Sequence, residues 1–199
     1  MSRVAIVDSG GANIASLLFA FERLGIEATL TTDARLIRRA ERVVLPGVGA
    51  ARDAMQRLRD TELVDVIRKL EQPVLGICLG MQLLCDASEE EDVECLGIIP
   101  GIARKLDVSD GFAVPNMGWC STTITRRHEV LDGIEDGSWF YYLHSYALPV
   151  TPATVATTHH TVEFSAMVCK DNFVAAQFHP ERSSKSGERL LRNFAEWNK

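Results

Sequence analysis

The sequence predicts an α/β protein: a three-layer sandwich around a central, mostly parallel sheet, with an added, partly antiparallel β portion. Two observations predict it. The first half alternates short β-branched runs with stretches of helical periodicity, while the second half is a series of strand-like runs separated by Gly, Pro and Asp. Short connections between alternating strands and helices require right-handed crossovers, which place helices on both faces of a parallel sheet.

Residues 4–7 (Val-Ala-Ile-Val) read as the first strand, closed by a Gly10-Gly11 turn. Over 13–24, Ile14, Leu17, Leu18, Phe21 and Leu24 fall on one helical face. Strands follow at 26–30 and 42–45, the latter running into Pro46-Gly47. Residues 52–70 carry helical periodicity with a break near Thr61. A strand at 74–77 then enters a tight glycine-flanked turn, and a helix begins over 81–85. In the second half, runs at 96–99, 122–125, 139–144, 154–158, 166–170 and 173–178 read as strands, with Asp171-Asn172 as a two-residue hairpin turn. Residues 187–197 form an amphipathic helix whose core face is Leu190, Leu191, Phe194 and Trp197. No linker-like stretch interrupts the pattern, so one domain over 1–199 is expected.

At 199 residues, with 46% apolar and 24% charged content, the chain is long enough to bury a real core. A net charge of −6 with scattered basic residues argues against a nucleic-acid partner. The apolar N-terminus is not expected to be a signal peptide: Asp8 interrupts it, and Glu22 and Arg23 follow. No run of about 18 apolar residues suggests a membrane span. Five cysteines without a C-x-x-C pair fit a reducing, cytoplasmic setting.

The chemistry centres on Gly76-Ile77-Cys78-Leu79-Gly80, a cysteine form of G-x-S-x-G placed between a strand and a helix. A sharp strand-to-helix turn strains the middle residue, and the flanking glycines remove side chains that would clash. The thiol then projects at a helix N-terminus, and the Leu79 N–H can hold an oxyanion. A nucleophilic cysteine needs a base, and the base needs an orienter. Gln177-Phe178-His179-Pro180-Glu181 supplies both if the segment is extended, because residues two apart then share a face. Pro46-Gly47-Val48-Gly49, following a neighbouring strand, fits a second oxyanion donor. Other groupings carry less. His159-His160 with Cys120 or His128 lacks metal-ligand spacing, so no metal is expected. Neither G-x-G-x-x-G nor a P-loop occurs. The 89–92 charge run reads as a solvated loop, Cys85 as core, and Trp119, in a 115–119 loop, as core or a partner anchor.

Gly76-Ile77-Cys78-Leu79-Gly80-Met81-Gln82 together with Gln177-Phe178-His179-Pro180-Glu181 resembles the class I (triad) glutamine amidotransferases. Further segments, Pro46-Gly47-Val48-Gly49, Val114-Pro115-Asn116-Met117-Gly118-Trp119, Tyr141-Tyr142-Leu143-His144-Ser145-Tyr146 and His179-Pro180-Glu181-Arg182-Ser183, are similar to the glutaminase subunits of imidazole glycerol phosphate synthases. The resemblance runs from the first strand to the last helix. It implies Cys78 as nucleophile, His179 as base and Glu181 as orienter. It implies an oxyanion site from Leu79, Gly47, Val48 and Gly49, and L-glutamine binding by Gln82, His144, Ser145 and Tyr146. Asn13, Asn116, Trp119 and Arg182 are implied to face a (β/α)8-barrel cyclase subunit in a heterodimer. The implied chemistry is glutamine hydrolysis through a cysteine thioester, with ammonia passed to the cyclase for histidine biosynthesis and no cofactor. Where the resembled pattern reads Pro-His-Met-Gly-Trp-Asn, this chain reads Pro115-Asn116-Met117-Gly118-Trp119-Cys120. The intact triad implies surviving hydrolysis, and the altered segment is where coupling to the cyclase would differ. Competing readings are a glutaminase for an anthranilate or carbamoyl phosphate synthase, a regulatory or scaffold subunit, and a cysteine peptidase. The His-Ser-Tyr and Met-Gly-Trp segments, the intact triad, and Gln82 weigh against these in turn.

Overall fold

The computed structural model describes residues 4–10, 14–108 and 112–198. Asn13, expected to face a partner, lies outside the described residues. Strands β1 (Val4–Val7), β2 (Ala28–Thr31), β3 (Arg42–Gly47), β4 (Val74–Cys78) and β13 (Phe173–Ala176) form the parallel part of a nine-stranded sheet, in the order β2-β1-β3-β4-β13. The sheet continues antiparallel through β12 (Glu163–Lys170), β11 (Thr154–His159), β8 (Asn116–Ile124) and β9 (Trp139–His144). A second sheet, in the order β10-β7-β5-β6, comprises β5 (Cys85–Ser88), β6 (Val93–Glu94), β7 (Ile99–Lys105) and β10 (Tyr146–Ala147). This is the expected sandwich with its antiparallel extension.

The parallel strands explain the two cores. Ala5, Val7, Val43, Leu45, Val74, Phe173 and Ala175 point to one face. Val4, Ile6, Val44, Leu75, Ile77, Val174 and Ala176 point to the other. All are buried, so near-continuous apolar runs replace the alternation of a half-exposed strand. The first face is covered by α2 (Ala34–Arg39), α3 (Ala51–Asp60), α4 (Val64–Arg68) and α5 (Leu79–Leu84). The second is covered by α1 (Ile14–Arg23) and α6 (Ser184–Glu196), which seats Leu190, Leu191 and Phe194, with Trp197 just beyond its end.

Several expectations shift. The helix near residue 81 begins at Leu79, directly after Cys78, and stops at Leu84, where Cys85 starts β5. The strand expected over 96–99 is instead a turn: Leu96, Gly97 and Ile98 donate to the carbonyls of Leu83, Cys85 and Leu84, and β7 starts at Ile99. The short α2 escapes periodicity because Ile37 is its single buried residue; its legible sign is Asp33, whose carboxylate accepts from Arg35 N at 2.7 Å. The 115–119 loop is largely strand. Cross-strand partners from Asn116↔His144 to Ser121↔Trp139 override its Pro, Asn and Gly signals. The 89–92 charge run is not merely solvated either: Glu90 Oε2 accepts from Ala51 N at 2.8 Å at the start of α3, and Glu89 pairs with Arg104.

Candidate active site

β3 and β4 end side by side, with Gly47 paired to Cys78. Cys78 closes β4 at φ 53° and ψ −111°, a conformation costing about 1–3 kcal/mol, and α5 starts at the next residue. The glycines make this turn sterically feasible. A Cβ on Gly80 would lie 1.8 Å from the Leu45 carbonyl oxygen, and one on Gly47 would lie 2.9 Å from Leu79 Cβ. The turn is thus pressed onto β3, and Val48, Gly49, Cys78, Leu79 and His179 share one cavity wall. α5 spans six residues, under two turns, so its dipole acts weakly beside the full charge of a nearby imidazolium.

His179 follows β13, the strand beside β4, with Ala176 opposite Ile77. Its backbone N–H donates to Tyr141 O at 2.9 Å. The Ser183 hydroxyl donates to His179 O at 2.7 Å and accepts from Tyr141 N at 2.9 Å, tying this segment to β9. The segment differs from the expected extended geometry: Pro180–Arg182 is a 3-10 turn with Pro at its start. Glu181 therefore reaches back across the turn, its Oε1 2.9 Å from His179 Nδ1, both side chains being almost fully buried. Burial alone would lower the His179 pKa. Hydrogen bonds and charge interactions with Cys78 and Glu181 outweigh it and raise the value to about 10, so the ring is protonated at neutral pH.

The cavity, of roughly 250 Å³, is also lined by Gln82, Glu90, Pro115, Leu143, His144, Ser145 and Tyr146. That is small for a ligand site and suits an amino acid. Gln82 uses both amide hydrogens inside the protein, on Tyr146 O at 2.8 Å and Gln177 Oε1 at 3.2 Å, leaving its oxygen as the group to offer a ligand. His144 sits in the wall, but both ring nitrogens are engaged: Nδ1 lies 2.9 Å from Tyr146 O, and Nε2 3.2 Å from Asn116 Nδ2. A carbonyl only accepts, so Nδ1 carries the proton and Asn116 donates to Nε2. Burial lowers the His144 pKa to about 3, fixing a neutral ring. Glu90 was missed by sequence reasoning; within a charge run, nothing distinguished the one carboxylate that folds back onto the cavity.

The expected interface residues separate. Trp119 is 47% exposed, stands edge-on to Tyr141 at 6.2 Å, and Arg182 Cζ lies 4.5 Å above the Tyr141 ring. Asn116 is instead buried against His144, and Cys120 Sγ donates to its Oδ1 at 3.6 Å. The two positions that differ from the resembled pattern therefore touch each other and reach the cavity wall through His144. Asn116→Leu, which keeps bulk and removes the donor, should cost about 1–3 kcal/mol in urea unfolding and raise the KM for glutamine. Wild-type stability and KM would show the contact to be idle. Among the described residues no group of three His, Cys, Asp or Glu side chains is placed to hold a metal.

Cys78 in its strained turn, His179 held by Glu181, and Val48 and Gly49 just beyond β3 thus meet at one cavity of this α/β scaffold. Residues 5–197 match the Glutamine amidotransferase class-I family model, and the chain belongs to that family. It is 50% identical over 98% of both chains to "Imidazole glycerol phosphate synthase subunit HisH" of Xanthomonas axonopodis pv. citri (strain 306). It is 47% identical, with the same coverage, to the protein of that name from Xylella fastidiosa (strain Temecula1 / ATCC 700964). Among solved structures it shares its fold with a glutamine amidotransferase (TM-score 0.76, 18% identity, 98% of this chain and 97% of that one). It also matches PurLQS from Thermotoga maritima (TM-score 0.73, 18% identity, 99% of each chain).

Proposed function

We propose that this chain is the glutaminase subunit of an imidazole glycerol phosphate synthase, with Cys78, His179 and Glu181 as its catalytic triad. The observation that carries the reading is that Cys78, in its strained turn, and His179, held by Glu181, open onto one amino-acid-sized cavity. Cys78 Sγ, its proton already held by His179, attacks the side-chain amide carbon of glutamine as the thiolate. The carbonyl electron pair moves to oxygen, which rests on the Leu79 N–H and on donors from residues 47–49. The carbon–nitrogen bond then breaks, His179 protonates the nitrogen, and ammonia leaves a glutamyl thioester. His179 next deprotonates water, whose attack releases glutamate and returns the electron pair to sulfur. Glu181 keeps Nδ1 protonated throughout, so that Nε2 handles every transfer. Glu90, at the cavity wall, supplies a carboxylate for the substrate ammonium.

A surface beside the cavity supports a protein partner. Pairing of β8 with β9 places Met117 opposite Leu143 and Trp119 opposite Tyr141, and Met117 (68%), Trp119 (47%) and Trp139 (59%) are strongly exposed. Leu143 belongs both to this patch and to the cavity. Such an apolar face with a nearby Arg182 fits the docking of a (β/α)8-barrel cyclase that receives ammonia. Glutamine hydrolysis should rise on adding that cyclase with its nucleotide, and Trp119→Ala should weaken the complex by about 10–100-fold in Kd. Titration calorimetry with a glutaminase assay checks both; equal turnover with and without the cyclase would sink the assignment.

A further inference from the structure

Gln177 is fully buried one strand away from the nucleophile and has no place in the triad. Its Nε2 lies 3.7 Å from Cys78 Sγ, and its Oε1 accepts from Gln82 Nε2 at 3.2 Å. The orientation of both amides follows from one fixed group. Tyr146 O is a backbone carbonyl and only accepts, so the Gln82 atom 2.8 Å from it is the NH2. The Gln177 atom facing that NH2 is therefore oxygen, which leaves the Gln177 NH2 aimed at sulfur. Reversing Gln177 would set two NH2 groups against each other in a buried site.

We propose that Gln177 is the positioning residue of the nucleophile: its carboxamide, locked by Gln82, donates to the Cys78 sulfur and holds it as a hydrogen-bond acceptor. This rests on the reading of Cys78 as the nucleophile. A donor on this side leaves the thiol proton only other directions, toward His179 or Leu143 O, which lies 3.6 Å from Sγ. It also favours the anionic sulfur at two moments of each turnover. One is before attack, when His179 has taken the proton. The other is thioester hydrolysis, when the sulfur–carbon bond breaks and its electron pair returns to sulfur. Because Gln82 lines the glutamine cavity and orients Gln177, the same bond chain joins the substrate pocket to the reacting atom.

The test is the pH dependence of iodoacetamide alkylation at Cys78, resolved by mass spectrometry, with glutaminase turnover in the complete complex. Gln177→Met keeps the chain length but removes the donor. The pH of half-maximal alkylation should move upward by about one unit and kcat should fall ~10-fold, in proportion to one lost hydrogen bond to a charged group. Gln177→Glu keeps the acceptor for Gln82 and turns a second carboxylate oxygen to sulfur, so its profile should move further and kcat fall ~100-fold. A purely structural residue would lower the melting temperature without moving the alkylation midpoint. Unchanged midpoints with Cys78→Ala inactive would overturn the proposal and leave the nucleophile in place; an active Cys78→Ala would overturn both. Should Gln177→Met fail to fold, Gln177→Glu, closest in size and bonding, decides alone.

Discussion

Glutamine-dependent synthesis by the assembled enzyme should fall by about 10⁴-fold or more in Cys78→Ala, while synthesis from added ammonium persists. Alanine is the informative replacement. It keeps the Cβ, so the strained φ of 53° and the β4–α5 turn are unchanged, and only the reacting atom is lost. Glycine would relax the backbone and confuse strain with chemistry. Activity in the complex is read with either nitrogen source. Loss of both would place Cys78 in assembly, and retention of both would remove it from catalysis.

Among the glycines of the described residues, Gly80→Ala should be the most damaging. The added Cβ would sit 1.8 Å from Leu45 O and 2.8 Å from Leu45 C, atoms of a central strand. That backbone cannot yield without disturbing the pairing of Leu45 with Gly76. A cost of at least ~3 kcal/mol is expected, together with loss of glutaminase activity, since the same shift moves Cys78 against residues 47–49. Gly49→Ala is the control. Nothing lies within 4 Å of its added Cβ, so only the φ of +99° is strained. Urea unfolding of the two variants should rank them clearly; equal midpoints would mean that the turn relaxes at little cost.

The parallel half of the fold was legible because four of its five strands, β1, β3, β4 and β13, are buried on both faces and its longer helices present clean stripes. The nucleophile turn was legible because two glycines and a cysteine at fixed spacing have a steric reason, visible at Gly80. What escaped were features set by distant partners. Residues 116–119 read as loop until β9 pairs with them. The segment Pro180–Arg182 reads as extended in sequence and forms a 3-10 turn, although Glu181 meets His179 by either geometry. Gln177 and Glu90 carried no local signal, since their meaning comes from Cys78 and Ala51, 99 and 39 residues away.

The pairing of β13 with β4 has a consequence for how the chain matures. The proposed nucleophile is residue 78 and its proposed base residue 179, yet one ends β4 and the other follows β13, the strand paired with it in register. Everything between them is an excursion that must fold back before β13 can dock. Closing so long a loop is slow compared with forming local turns. A chain still emerging from the ribosome therefore carries its cysteine without a base. On these proposed roles, hydrolysis requires β13, the last strand of the described residues, to be seated, so turnover would report completed folding. The excursion is not passive: its strand β12 pairs with β13, and Tyr141 O accepts from the His179 N–H, so its own folding sets where His179 stands.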